Sequence, residues 1–180
     1  MTVNDALALV RRLAADKIGT VSTTNIVFSG QFRDICKSNS CGRYNTCYTC
    51  PPLCGEWEEL AARVKSYRTA VVAARIFPLT DSFDIEGMAE AAKAHDRMNA
   101  EIRKALAAEG DTESLVLGAG GCSFCETCAV KEHQPCRHPD LITIPLEACG
   151  ISVYDLATAA GIPYTNGENT VTYFTAVLLK

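Results

Sequence analysis

No stretch of this chain is apolar for long enough to cross a bilayer, which takes about 20 consecutive apolar residues. Its start, MTVNDALALVRRLAAD, has no basic segment running into a long apolar one. Neither a membrane span nor a secretion signal is expected, which points to a cytoplasmic protein. A basic stripe with interleaved aromatics is also missing, and the net charge is −4. A chain of that kind has little to hold a phosphate backbone, so nucleic acid is not an expected partner. G-x-x-x-x-G-K-[ST], the dinucleotide fingerprint and H-E-x-x-H are absent as well, which removes the motif-based case for nucleotide binding or a zinc protease. Gly118-Ala-Gly-Gly superficially resembles a nucleotide turn, but cysteines follow where such a turn needs a helix. Without repeats, linkers or low-complexity tracts, residues 1–180 read as one domain, long enough to bury a real core.

What the chain has in excess is cysteine, ten in all. In a reducing cytosol these are expected to be metal ligands rather than disulfides. They fall into two groups, Cys36, Cys41, Cys47, Cys50 and Cys54, then Cys122, Cys125, Cys128 and Cys136, with Cys149 alone. Two groups suggest two sites.

The second group is the more specific. Three thiols at every third position and a fourth farther on, in Cys136-Arg-His-Pro, resemble loops that wrap a [4Fe–4S] cubane. Such a cubane presents four irons at the corners of a tetrahedron, and a loop curling round it can give each one a thiolate while backbone N–H groups point at the sulfides. Zinc asks for four ligands on one atom, usually from two separated C-x-x-C knuckles, and a tight triple run serves it poorly. Zinc, disulfides and free thiols stay as alternatives. Gly118, Gly120 and Gly121 precede the run, either to let the backbone approach a bulky inorganic group or as a flexible strand-to-loop turn.

In the first group the thiols exceed what one cubane needs. Cys36, Cys41 and Cys50 are the expected ligands, and Cys47 or Cys54 the open fourth. Proline directly after Cys50 fixes the chain's exit and removes a donor that would otherwise need a partner. Cys36-x4-Cys41 hints at plant-type two-iron spacing, but the gap to Cys47 is too long for it. A zinc site from Cys41, Cys47, Cys50 and Cys54 is the alternative. Cys149 reads as a small buried hydrophobe, with a reactive thiol the other possibility.

Around these loops the periodicity predicts helices over about 3–15, 56–66, 84–108 and after Ser152, ending at Gly161 and Pro163. Strands are expected within 17–28 and over 69–77, 114–117 and 170–179. Thr2-x-x-Asp5 and Ser152-x-x-Asp155 read as capping boxes. Ile85, Met88, Ala92, His95, Met98, Ile102 and Leu106 fall on one face of the longest helix, where the methionines read as core filling and His95 as a hydrogen-bonded core residue. The fold class is α+β, an antiparallel or mixed sheet covered by helices with two cysteine-rich cluster-binding loops.

Cys36-x4-Cys41-Gly-x-Tyr44 leading to Cys50-Pro-Pro, then Pro78-Leu-x-Asp81-Ser-Phe-Asp84, Gly118-Ala-Gly-Gly-Cys122-x-x-Cys125-x-x-Cys128 and Cys136-Arg-x-Pro139 resemble a domain-of-unknown-function family of predicted metal-binding proteins. The resemblance covers nearly the whole chain. It implies a cysteine-ligated cofactor and no particular activity. It also implies that Cys36, Cys41, Cys50 and the second four are the regular positions, while Cys47, Cys54 and Cys149 match positions that other residues often fill. If so, the first cluster has an iron open to water, substrate or sulfide. Arg43, Tyr44, His133, Arg137 and His138 are then candidate polar helpers, against the plainer view that they lie on solvated loop surface.

Three functions follow. One is an iron–sulfur protein with two [4Fe–4S] clusters that transfers electrons to a redox partner or activates one. A second is an enzyme that uses an open-site cluster as Lewis acid or low-potential reductant on a small molecule, for example in sulfur abstraction, and a third is a zinc-binding structural module. Self-association is left open.

Overall fold

The apolar run Thr69–Phe77 forms the inner part of a five-stranded sheet in the computed structural model, which describes residues 1–13 and 15–180. The strands are β1 (Lys17–Ser22), β2 (Thr69–Pro78), β3 (Leu115–Gly118), β4 (Ile144–Pro145) and β5 (Thr170–Leu179), in the order β1-β2-β5-β3-β4. All neighbours are antiparallel except β3 and β4, so the sheet is mixed. Side chains alternate across a strand. Ala70, Val72 and Ala74 of β2 therefore join one core cluster, while Val71 and Ala73 join the other. Burial on both faces is why this strand is apolar at nearly every position.

The helices α1 (Val3–Arg12) and α4 (Ile85–Ala108) cover one face through Leu9, Val10, Met98, Ile102 and Leu106. On the other face α3 (Trp57–Lys65) and α5 (Val153–Ala159) bring Val64, Leu156 and Ala157 against Phe174, Ala176 and Leu178. The chain is thus one α+β domain of three layers. Among the described residues no helix is long and apolar enough to cross a membrane.

Local chemistry sets the helix ends. Thr2 and Asp5 complete a reciprocal capping box, and Asp84 accepts the Gly87 N–H at 2.8 Å. The expected box at Ser152 is only half formed. Its hydroxyl accepts the Asp155 N–H, but its own N–H is already given to the carbonyl of Val27 at 3.0 Å. The first helix was expected to reach residue 15 and is described to Arg12; the step over Ala14 lies outside the described residues. Ile85, expected on the buried face of α4, is 77% exposed. Burial begins only at Ala91, so the first turns lie off the core.

Two elements had no signal in the sequence. The short helix α2 (Gln31–Lys37) carries Cys36, and β4 extends the sheet edge beside β3. Together they set where the cysteine loops meet, beyond the C-terminal end of β3.

Candidate metal centre

Past Gly118 the chain bends through Gly120, whose φ of +72° side chains rarely adopt, and enters the second cysteine loop. Cys122, Cys125, Cys128 and Cys136 line one small cavity of about 20 Å³, closed by Tyr48 and Thr49 of the first loop. All four are free, partly exposed thiols. Burial pushes the Cys122 thiol up to about 11, against a hydrogen bond from the Phe124 N–H. The His138 N–H likewise points at Cys136 Sγ, at 3.4 Å. Backbone N–H groups aimed at sulfur are what an inorganic sulfide core and its thiolates use. The cavity is tight, so the loop must spread its sulfurs to take a polynuclear core. Among the described residues no three of His, Cys, Asp or Glu are arranged to hold a single metal ion.

The first loop frames a larger cavity of about 300 Å³, lined by Cys36, Cys41 and Cys50 with Glu147 among its walls. Cys47 and Cys54 lie elsewhere. Cys54 Sγ sits 3.4 Å from Nη1 of Arg33, which is 5% exposed and also donates to the carbonyls of Ala148 at 3.1 Å and Gly55 at 2.7 Å. Cys47 is buried, with its sulfur 3.4 Å from Thr49 Oγ1. A hydrogen bond from Cys50 pulls Cys47 down to about 5, and the same contact pushes Cys50 up.

The two cavities share a wall. Thr49 lines the second and Cys50 the first; Gly121 lines the first and Cys122 the second. Consecutive residues thus line different cavities at both places. Thr49 pins the wall by accepting the Cys122 N–H at 3.1 Å, and the Tyr48 hydroxyl donates to the Gln134 carbonyl at 2.8 Å. A Cβ at Gly121 would lie 3.0 Å from the Arg43 side chain, and one at Gly118 would lie 2.6 Å from Asn99 Nδ2. The crowding at these two glycines therefore comes from protein side chains.

The predicted metal-binding protein family DUF2284 matches residues 19–179. The chain belongs to that family. No curated protein and no solved structure matches it.

In this DUF2284 member Arg43 lines the first cavity, while Arg137 and His138 line the second. Tyr44 and His133 line neither. Cys149 is buried in the core, where burial pushes its thiol up to about 12. His95 is fully buried and stacked on Tyr173 at 5.2 Å, with Nε2 3.4 Å from Thr175 Oγ1. Loss of solvent drives its pKa down to about 3, so it stays neutral in the core.

Residues that the sequence did not single out hold the site together. Arg33, Thr49 and Glu147 belong to the first loop and its walls. Asp96 reaches from α4 to accept both the N–H (2.8 Å) and the hydroxyl (2.5 Å) of Ser123, beside Cys122. No spacing rule links positions this far apart. Burial raises the Asp96 pKa above its ordinary 3.8, against the pull of Ser123. A carboxyl with a raised folded pKa contributes stability that is full below its unfolded pKa and is lost as pH rises through the folded one. The stability of wild type relative to Asp96→Asn should therefore fall as pH rises above about 3.8. Paired thermal melts from pH 3 upward check this, and a pH-independent difference would contradict it.

Proposed function

We propose that this protein holds two [4Fe–4S] clusters, one per cysteine-lined cavity, and passes electrons to a redox partner. The observation that carries this is the shared wall, two thiol-lined cavities whose linings take consecutive residues at Thr49–Cys50 and at Gly121–Cys122. When bound, paired clusters supply one-electron transfer. Cys122, Cys125, Cys128 and Cys136 would hold one cluster, and Cys36, Cys41 and Cys50 the other. Four thiols line the second cavity, and a cubane takes one thiolate on each iron.

The surrounding residues tune and fix these donors. Arg137 spans the second loop, donating to the Thr127 carbonyl at 2.9 Å and to Glu132 at 2.6 Å, with Cys125 also beside its guanidinium. A cation there offsets the charge of a thiolate-ligated core. Asp96 and Ser123 lock the start of the loop, and Thr49 fixes the spacing of the wall.

A second reading, an enzyme with an open iron in the first cavity, is favoured by one observation. That cavity has three cysteines where the second has four, and it is the larger. Both readings need two clusters within magnetic reach. Paramagnetic resonance of the anaerobically prepared, fully reduced protein should show two interacting signals. A single isolated signal would overturn the paired arrangement.

A further inference from the structure

The first cavity offers three thiols to a core that takes four donors. The loop's other cysteines do not line this cavity, Cys54 lying against Arg33 and Cys47 buried beside Thr49 and hydrogen-bonded to Cys50. Facing the same cavity is Glu147, at the start of the turn Glu147–Cys149 that follows β4. Its carboxylate takes part in none of the ion pairs among the described residues. Arg33, packed nearby, spends its guanidinium on Cys54, Gly55 and Ala148, and the Arg43 side chain lies against Gly121. Glu147 is half-buried and lines this cavity with three free cysteines, and among the described residues its carboxylate has no hydrogen-bond or ion-pair partner from another element.

We propose that Glu147 is the fourth ligand of the cluster in the first cavity, its carboxylate taking the iron that Cys36, Cys41 and Cys50 leave free. This rests on the iron–sulfur reading of that cavity. One oxygen lone pair of the carboxylate would form the bond to iron, in place of the water that otherwise solvates it. An oxygen donor is harder than a thiolate and holds this iron less tightly against a soft competitor. The iron is then exchangeable, and the ligand it would accept is a small molecule with a thiolate or oxyanion donor. Phe32, Ile35 and Pro51 give that ligand an apolar approach.

The test compares wild type, Glu147→Ala and Glu147→Cys, assembled anaerobically, by iron and sulfide analysis and paramagnetic resonance. Wild type should carry about eight irons, four per cubane. Glu147→Ala should lose about one of them from the first cluster while the second cluster's signal, the internal control for folding, is unchanged. Glu147→Cys should restore the full count and alter the line shape of the first cluster alone. If Glu147→Ala fails to fold, Glu147→Cys decides, since a first-cluster spectrum identical to wild type means the residue does not touch iron. Glu147→Ala with full iron and an unchanged spectrum overturns the ligand assignment and leaves the two-cluster reading standing. Wild type with about four irons or fewer overturns that reading and the ligand with it.

Discussion

Cys125→Ser is expected to remove about half of the bound iron, one cubane of two, while leaving the sheet and both helical layers folded. Cys125 is the middle thiol of the run, and its neighbours Cys122 and Cys128 line the same cavity. A serine oxygen in its place would be a poor ligand for the iron proposed there, and no other thiol of the loop is spare. Metal binding and local folding are coupled in cysteine-rich segments, so the loop from Gly121 to Cys136 should loosen with the loss. The core is insulated from it, because both hydrophobic clusters are built from strands and helices. Amide exchange should accordingly speed up in the loop and stay slow in β2 and β5, following local rather than global opening. Iron analysis beside an exchange map checks both halves. A Cys125→Ser protein with its full iron complement would remove Cys125 from the ligand set.

Arg33→Met is expected to cost about 2–4 kcal/mol of stability, from leaving buried acceptors unsatisfied. Methionine keeps the length of the stem but donates nothing. The carbonyls of Gly55 and Ala148, met at 2.7 and 3.1 Å, would lose their partner, as would Cys54 Sγ. Those contacts tie α2, which carries Cys36, to the end of the first loop and to the turn that carries Glu147. The first cavity should therefore loosen as well, and on the proposed two-cluster reading iron bound there would be lost to a chelator sooner than iron bound in the second. Arg33→Lys keeps the charge without the planar fork and should recover only part of the loss. Urea unfolding midpoints and timed chelator release measure the two effects. Wild-type behaviour in Arg33→Met would mean the guanidinium bears no load.

The elements with a strong period were legible from sequence. β2, β5 and α4 appear within a residue or two of where the apolar pattern put them, because burial on one face or both dictates residue type along their whole length. The expectation of metal binding agrees with the family match. The missing parts depend on positions far apart in the chain. α2 is seven residues long and marked by no apolar face, and Glu147 lies nearly a hundred residues from Cys50. Neither has a local signal, since it is the pairing of β3 with β4 that delivers the turn after β4 to the first loop. Ile85 shows the converse. Its period is right, but a helical stripe does not say where the partner layer ends.

The most direct test is metal and acid-labile sulfide analysis of protein purified without air, with its visible spectrum. Two bound cubanes predict about eight irons and eight sulfides per chain with brown thiolate-to-iron absorbance. Colourless protein that carries zinc and no sulfide would contradict the account.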